Sequence, residues 1–171
     1  MKKLLILAVV SLSLVTGCEN DYHKFSHKLP STKVEQDKSV SISGIDADNN
    51  GIRDDIDNFI VEQYNSEEDQ SAVRQMARNT QSKLLLANPA EAEDIKSIYD
   101  RQIEATVCLG VRRDSSESSV YEGTIKDILQ ITLNTDLREK AYRDYERMVG
   151  TLTAKFPEGS GDGCNYPNEP K

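Results

Sequence analysis

Residues 46–64 read Asp46-Ala47-Asp48-Asn49-Asn50-Gly51-Ile52-Arg53-Asp54-Asp55-Ile56-Asp57-Asn58-Phe59-Ile60-Val61-Glu62-Gln63-Tyr64. The first half places oxygen-bearing side chains at alternate positions and turns at a glycine. The second half changes rhythm: Ile52, Ile56, Phe59 and Ile60 fall at helical spacing, and Tyr64 continues the stripe. Asp54, Asp55 and Asp57 crowd the first turn, where the helix dipole favours anions. The stretch therefore predicts a loop that opens a helix from about Arg53 to Tyr64. Ile45, just before the loop, is expected to fold back onto the apolar face.

The same 3.6-residue period recurs downstream. Ser66 with Asp69 makes an approximate capping box before a second helix carrying Val73, Met76, Ala77, Thr80, Leu84 and Ala87 on one face. Asn88-Pro89-Ala90-Glu91 sets a cap, a proline suited to the first helical position and an acid in the first turn. The third helix shows Ile95, Ile98, Tyr99, Ile103, Thr106 and Val107, and should end near Gly110 or Arg113. Ser119 with Glu122 starts a fourth helix, with Ile125, Ile128, Leu129 and Leu133 inward. A fifth uses Leu137, Ala141, Tyr145, Met148, Val149 and Leu152. Its opposite face, Arg138, Glu139, Lys140, Arg143, Asp144, Glu146 and Arg147, reads as solvated. No strand-like alternation and no solenoid period is present. The fold class predicted is an all-α bundle of about five helices.

The two ends differ in composition from this middle. Residues 18–44 scatter Ser and Lys around Pro30 without apolar periodicity and read as a tether, placing the start of the helical domain, 45–171, at about Ile45. His23 and His27 are four apart, but no helix signal surrounds them, and they read as part of that spacer. The tail from Pro157 is rich in Gly and Pro and should be irregular.

Met1-Lys2-Lys3 followed by an apolar run from Leu4 to Val15 makes a secretory signal peptide, residues 1–17, too short to remain as a spanning helix. The run ends in Val15-Thr16-Gly17-Cys18, which resembles the lipobox of bacterial lipoproteins. That resemblance implies acylation of Cys18 and membrane attachment through the lipid. Several acyl chains hold a protein firmly where one would not. Glu19 in place of an aspartate implies, by the same resemblance, sorting to the outer membrane, facing the periplasm or the cell surface. Cleavage before Cys18 removes Lys2 and Lys3 and no acid, so 19 Lys+Arg face 29 Asp+Glu, a net charge of −10. Such a balance excludes nucleic acid as a partner, since its phosphates require concentrated positive charge. Of three cysteines, Cys108 and Cys164 remain after Cys18 is lipidated. Outside the cytoplasm a leftover pair reads as a disulfide; no C-x-x-C spacing supports a redox or metal pair.

The loop carries the remaining chemistry. Calcium takes six to eight oxygens in flexible geometry. Residues 46–57 resemble an EF-hand loop and, more closely, the single Asp-rich loops of dockerins and thrombospondin type 3 repeats. The resemblance implies ligands from Asp46, Asp48, Asn50, the carbonyl of Ile52, Asp54 and Asp57, with Gly51 at the sharp turn. Three departures bear on its role: Asp57 is shorter than the usual glutamate, the apolar residue is one position early, and there is no entering helix or second loop. A fixed structural ion fits better than an opening sensor. A plain Asn/Asp/Gly turn with capping aspartates would account for one or two of these acids.

No histidine follows His27, and neither a Walker loop nor a G-x-S-x-G elbow occurs. Tryptophan is absent. The sequence therefore favours a binding or structural role in the cell envelope over catalysis. One alternative is an interaction module docking an envelope protein partner through the calcium loop. The other is a carboxylate-based enzyme acting on cell-wall or glycan substrate; acids are abundant, but no pair is singled out.

Overall fold

α1 (Asp54–Gln63) begins where the loop ends, and Ile52, Ile56, Phe59, Ile60 and Tyr64 all point into the core, as their spacing requires. The computed structural model describes residues 33–86, 90–112, 118–150 and Cys164, with side chains of 112–121 excepted. Within these residues α1 is followed by α2 (Glu67–Leu85), α3 (Ala92–Arg112), α4 (Ser118–Thr132) and α5 (Asp136–Val149), with no strand. The protein is thus all-α. No described helix is long and apolar enough to cross a membrane. The signal peptide, Cys18, the Asn88-Pro89 cap and most of the tail lie outside the described residues.

α2 is the central element and packs against each of the other four helices. Ser66 caps it, its hydroxyl accepting from the Asp69 N–H at 3.0 Å. Ala72, Val73, Met76 and Ala77 meet the α1 stripe, Ala105, Cys108 and Leu109 of α3, and Ile128 and Ile131 of α4 in the main core. A second cluster joins Ile95 and Ile98 to Tyr145 of α5. Beside this second cluster Lys83 is buried, its ammonium 5.2 Å from the ring centres of both Tyr142 and Tyr145. Burial pushes its pKa down to about 8, against the pull of Glu146. A Cys108–Cys164 disulfide pins the chain beyond α5 to α3. A covalent loop of that length contributes about 4 kcal/mol through the unfolded state in the chain-entropy description.

Three features depart from the sequence reading. Arg138, expected on the solvated face of α5, is fully buried, whereas Leu137 is 44% exposed. The reason is the segment before the loop. Residues 33–44, read as tether, lie against the bundle, and Val34 packs on the main core. Arg138 gathers this segment: its guanidinium donates to the carbonyls of Asp37 (2.5 Å), Ser41 (2.9 Å) and Ile42 (3.3 Å), and to Asn134 Oδ1 (2.6 Å) and Ser39 Oγ (3.5 Å). The Asp37 carboxylate lies 3.7 Å away. Ile45 does not fold back; its side chain is 62% exposed, and its backbone is what engages the fold.

Arg53 is the second buried guanidinium. It makes a two-pronged pair with Asp55, at 2.5 and 2.8 Å, and donates to the carbonyls of Ile131 (2.8 Å) and Thr132 (3.3 Å). Those are terminal carbonyls of α4 that have no partner within the helix, so a cation there both caps them and opposes the dipole. Asp55 in turn accepts the Asp37 N–H at 2.9 Å. Gly44, at φ +68, makes room for this arrangement: a Cβ there would collide with Arg53 Cδ and Asp37 Oδ2.

Burial alone would raise the Asp37 pKa. Hydrogen bonds from the Ser39 N–H and hydroxyl, the Ile45 N–H and the charge of Arg138 outweigh it and hold the group at about 2. A depressed carboxylate contributes stability that is complete above its ordinary value of 3.8 and is lost as the pH falls towards about 2. Urea denaturation should show Arg138→Met less stable by about 3–5 kcal/mol, because Asp37 is left without its cation. Across the same acid range, Asp37→Asn should lose less stability than the parent protein; parallel acid limbs would remove Asp37 from the network.

Candidate metal centre

Two left-handed residues, Asn49 (φ 57) and Gly51 (φ 84), curl the chain between Asp46 and Asp54. The curl turns backbone N–H groups inward. Asp46 accepts from Asn50 N–H at 3.1 Å and Gly51 N–H at 3.0 Å. Asp48 accepts from the Asn50 N–H at 3.2 Å, and the Asn50 side-chain oxygen takes the Ile52 N–H at 2.8 Å. Asp54 closes the loop from the far side, its carboxylate accepting the Ala47 N–H at 2.9 Å while its own N–H donates to the Ile45 carbonyl at 2.8 Å. The Ile52 side chain is fully buried in the main core and anchors the loop to the bundle.

This closure brings one carboxylate oxygen each from Asp46, Asp48 and Asp54 to within 4.8 Å of one another. The group could hold a metal ion. Like charges at about that separation repel by roughly 1–4 kcal/mol per pair near a protein surface. The inward N–H groups offset part of this, and a bound divalent cation would reverse it.

The other expected ligands stand differently. Asp57 is outside the three-acid group. Its Oδ1 accepts from Arg74 Nε at 2.6 Å, and its Oδ2 accepts from Asn50 Nδ2 at 2.8 Å. The same amide nitrogen donates to Asp48 Oδ2 at 2.9 Å, so Asn50 links Asp57 to the cluster. Its oxygen is committed to the Ile52 N–H, which fixes the amide orientation.

Sequence reasoning missed the bracing from α2. Arg74 holds Asp57, and Arg78 donates its Nε to the Asn50 carbonyl at 2.8 Å. The signal was two arginines one helical turn apart, on the helix that follows an acid-rich loop. Beside the cluster lies a hollow of about 390 Å³, whose walls include Glu35, Asp37, Ile45, Asp54 and Asp55. Asp54 belongs to both. Comparison with protein-family models, with curated proteins and with solved structures returns no match to the chain.

Gly51 is the residue on which the curl depends. An alanine would adopt a left-handed backbone at a cost of about 1–2 kcal/mol, and its Cβ would press on Arg78 Cγ at 3.3 Å. Chemical denaturation without added metal should therefore show Gly51→Ala destabilised by at least that amount. Asn49→Gly should be nearly neutral. Equal stability of Gly51→Ala and the parent would mean that the loop relaxes freely.

Proposed function

We propose that the chain is a lipid-anchored protein of the bacterial cell envelope whose helical domain is clasped by one calcium ion and acts by binding, not by catalysis. The observation that carries the cation is the convergence of Asp46, Asp48 and Asp54 on a loop already closed by its own backbone. Oxygen-only donors in an irregular loop suit calcium; magnesium favours a smaller octahedral, hydrated site. Asp57, the Ile52 carbonyl and Asn50 complete the proposed ligand set, the Asn50 amide turning its oxygen from the Ile52 N–H to the ion. The ion ties the chain before the loop to α1 and, through Arg74 and Arg78, to α2. An affinity of about 10⁻⁴–10⁻³ M, that of extracellular modules, would suffice.

The anchor rests on the sequence: Lys2-Lys3, the apolar run and Val15-Thr16-Gly17-Cys18, with the lipid on Cys18. Glu19 supports the outer membrane. A docking role for an envelope partner is the second reading. It is favoured by the hollow beside the loop and by Ile45 and Val40, 62% and 93% exposed, on the segment that borders it.

Thermal melting at constant ionic strength tests the ion. Calcium at a hundred times its dissociation constant should stabilise the protein by about 2.7 kcal/mol. Asp46→Ala should melt at the same temperature with and without calcium. If calcium leaves the parent curve in place, the loop is a capped turn and no more. The anchor has its own test: globomycin, which blocks lipoprotein signal peptidase, should cause the unprocessed precursor to accumulate in the producing cells, whereas normal processing would rule out a lipid on Cys18.

A further inference from the structure

Gln75, Arg78, Asn79 and Ser82 recur at i, i+3, i+4 and i+7 and so share one face of α2. Opposite them α3 presents Arg101. The five side chains line a cavity of about 110 Å³. All are polar, and none is a carboxylate.

The charge pattern around this cavity is unusual for the molecule. Arg53, Arg74, Arg138, Arg143 and Arg147 each have a carboxylate within salt-bridge distance. Of the arginines whose side chains are described, Arg78 and Arg101 alone have none. Arg78 uses its Nε on the Asn50 carbonyl; Arg101 makes no hydrogen bond or ion pair to a described residue. In a chain with 29 acids against 21 bases, the two arginines left without an acid share one small cavity. Asn79, 5% exposed in the wall, also leaves its Oδ1 without a donor among the described residues. Its Nδ2 is taken by Gln102, whose own amide is fixed by Thr106 and Met76.

We infer that this cavity between α2 and α3 is an oxyanion site for a single phosphate group, neutralised by Arg78 and Arg101. Two guanidinia match a dianion in charge. A phosphate offers enough oxygens for both forks, whereas a carboxylate fills one. The volume is well below the roughly 300–1,000 Å³ of clefts for larger organic ligands, so only the phosphate itself is enclosed. The Asn79 carbonyl suits the one protonated oxygen of hydrogen phosphate, the dianion of the free phosphate. The group can be inorganic phosphate or the terminal phosphomonoester of a larger molecule that extends into solvent. The site does not depend on an ion in the neighbouring loop.

Calorimetric titration of the full chain with inorganic phosphate and, separately, with O-phosphoserine, at ionic strength fixed by chloride, tests this. Saturable binding in the millimolar range or tighter is expected. Arg101→Gln should weaken it at least about tenfold, the loss of a charged hydrogen-bond donor, while Arg143→Gln, on the outer face of α5, should leave it unchanged. Arg101 is exposed, so the variant should keep the parent melting temperature, and any loss of binding then reports the site. Tighter binding of phosphoserine supports an ester ligand; equal binding supports the free anion. No saturable heat with either probe, or an Arg101→Gln titration identical to the parent's, overturns the assignment.

Discussion

Two guanidinium groups with no access to solvent govern how this bundle closes. A bare charge in a protein interior costs several kcal/mol even after relaxation. Arg53 and Arg138 are tolerated because their donors are met. Arg138 spends its five N–H groups on five acceptors, three of them carbonyls of residues 37–42. Arg53 divides its donors between Asp55 and the end of α4. The pair are close enough to feel each other: burial lowers the Arg138 pKa, Arg53 lowers it further, and Asp37 and Asp55 pull it back. Two cations and two carboxylates therefore form one balanced unit. It joins the chain before the loop, the start of α1, the end of α4 and the start of α5, none of which the apolar core alone would place in register.

The acid loop is built on the edge of that unit. Asp37 takes the Ile45 N–H, Ile45 takes the Asp54 N–H, and Asp54 belongs to the three-carboxylate cluster. On its other side the loop leans on α2 through Arg74 and Arg78. Its shape is thus set from outside as well as by its own turns. Pre-set ligands lower the ordering cost of binding an ion, which suits a fixed clasp more than a switch.

The helices were legible because their apolar residues repeat at 3.6: Val73, Met76, Ala77 and Leu84 of α2, or Ile56, Phe59 and Ile60 of α1, are buried as their spacing implies. The burial of Arg138 was not legible. An amphipathic reading assigns every charge to solvent, and the acceptors that reverse this come from residues about a hundred positions away, in a stretch with no periodicity of its own. Ile45 differs for a related reason: its own N–H and carbonyl are held, by the Asp37 carboxylate and the Asp54 N–H, so its side chain need not be inside. In the loop, Asp46, Asp48 and Asp54 meet because local turn geometry, which sequence encodes, brings them together. Asp57 is also held by Arg74, a contact that only the packing of α2 supplies.

The docking of residues 33–44 also sets a length. Were the proposed lipid on Cys18, about fifteen residues would separate it from the first described core contact at Val34, against the twenty-six or so of a tether reaching Ile45. A fully extended chain of that length covers about 50 Å. The domain would be confined to a shell of that depth over its own leaflet, with the acid loop and its neighbouring hollow on the side where the chain enters. Any partner they meet would have to come within that distance of the bilayer.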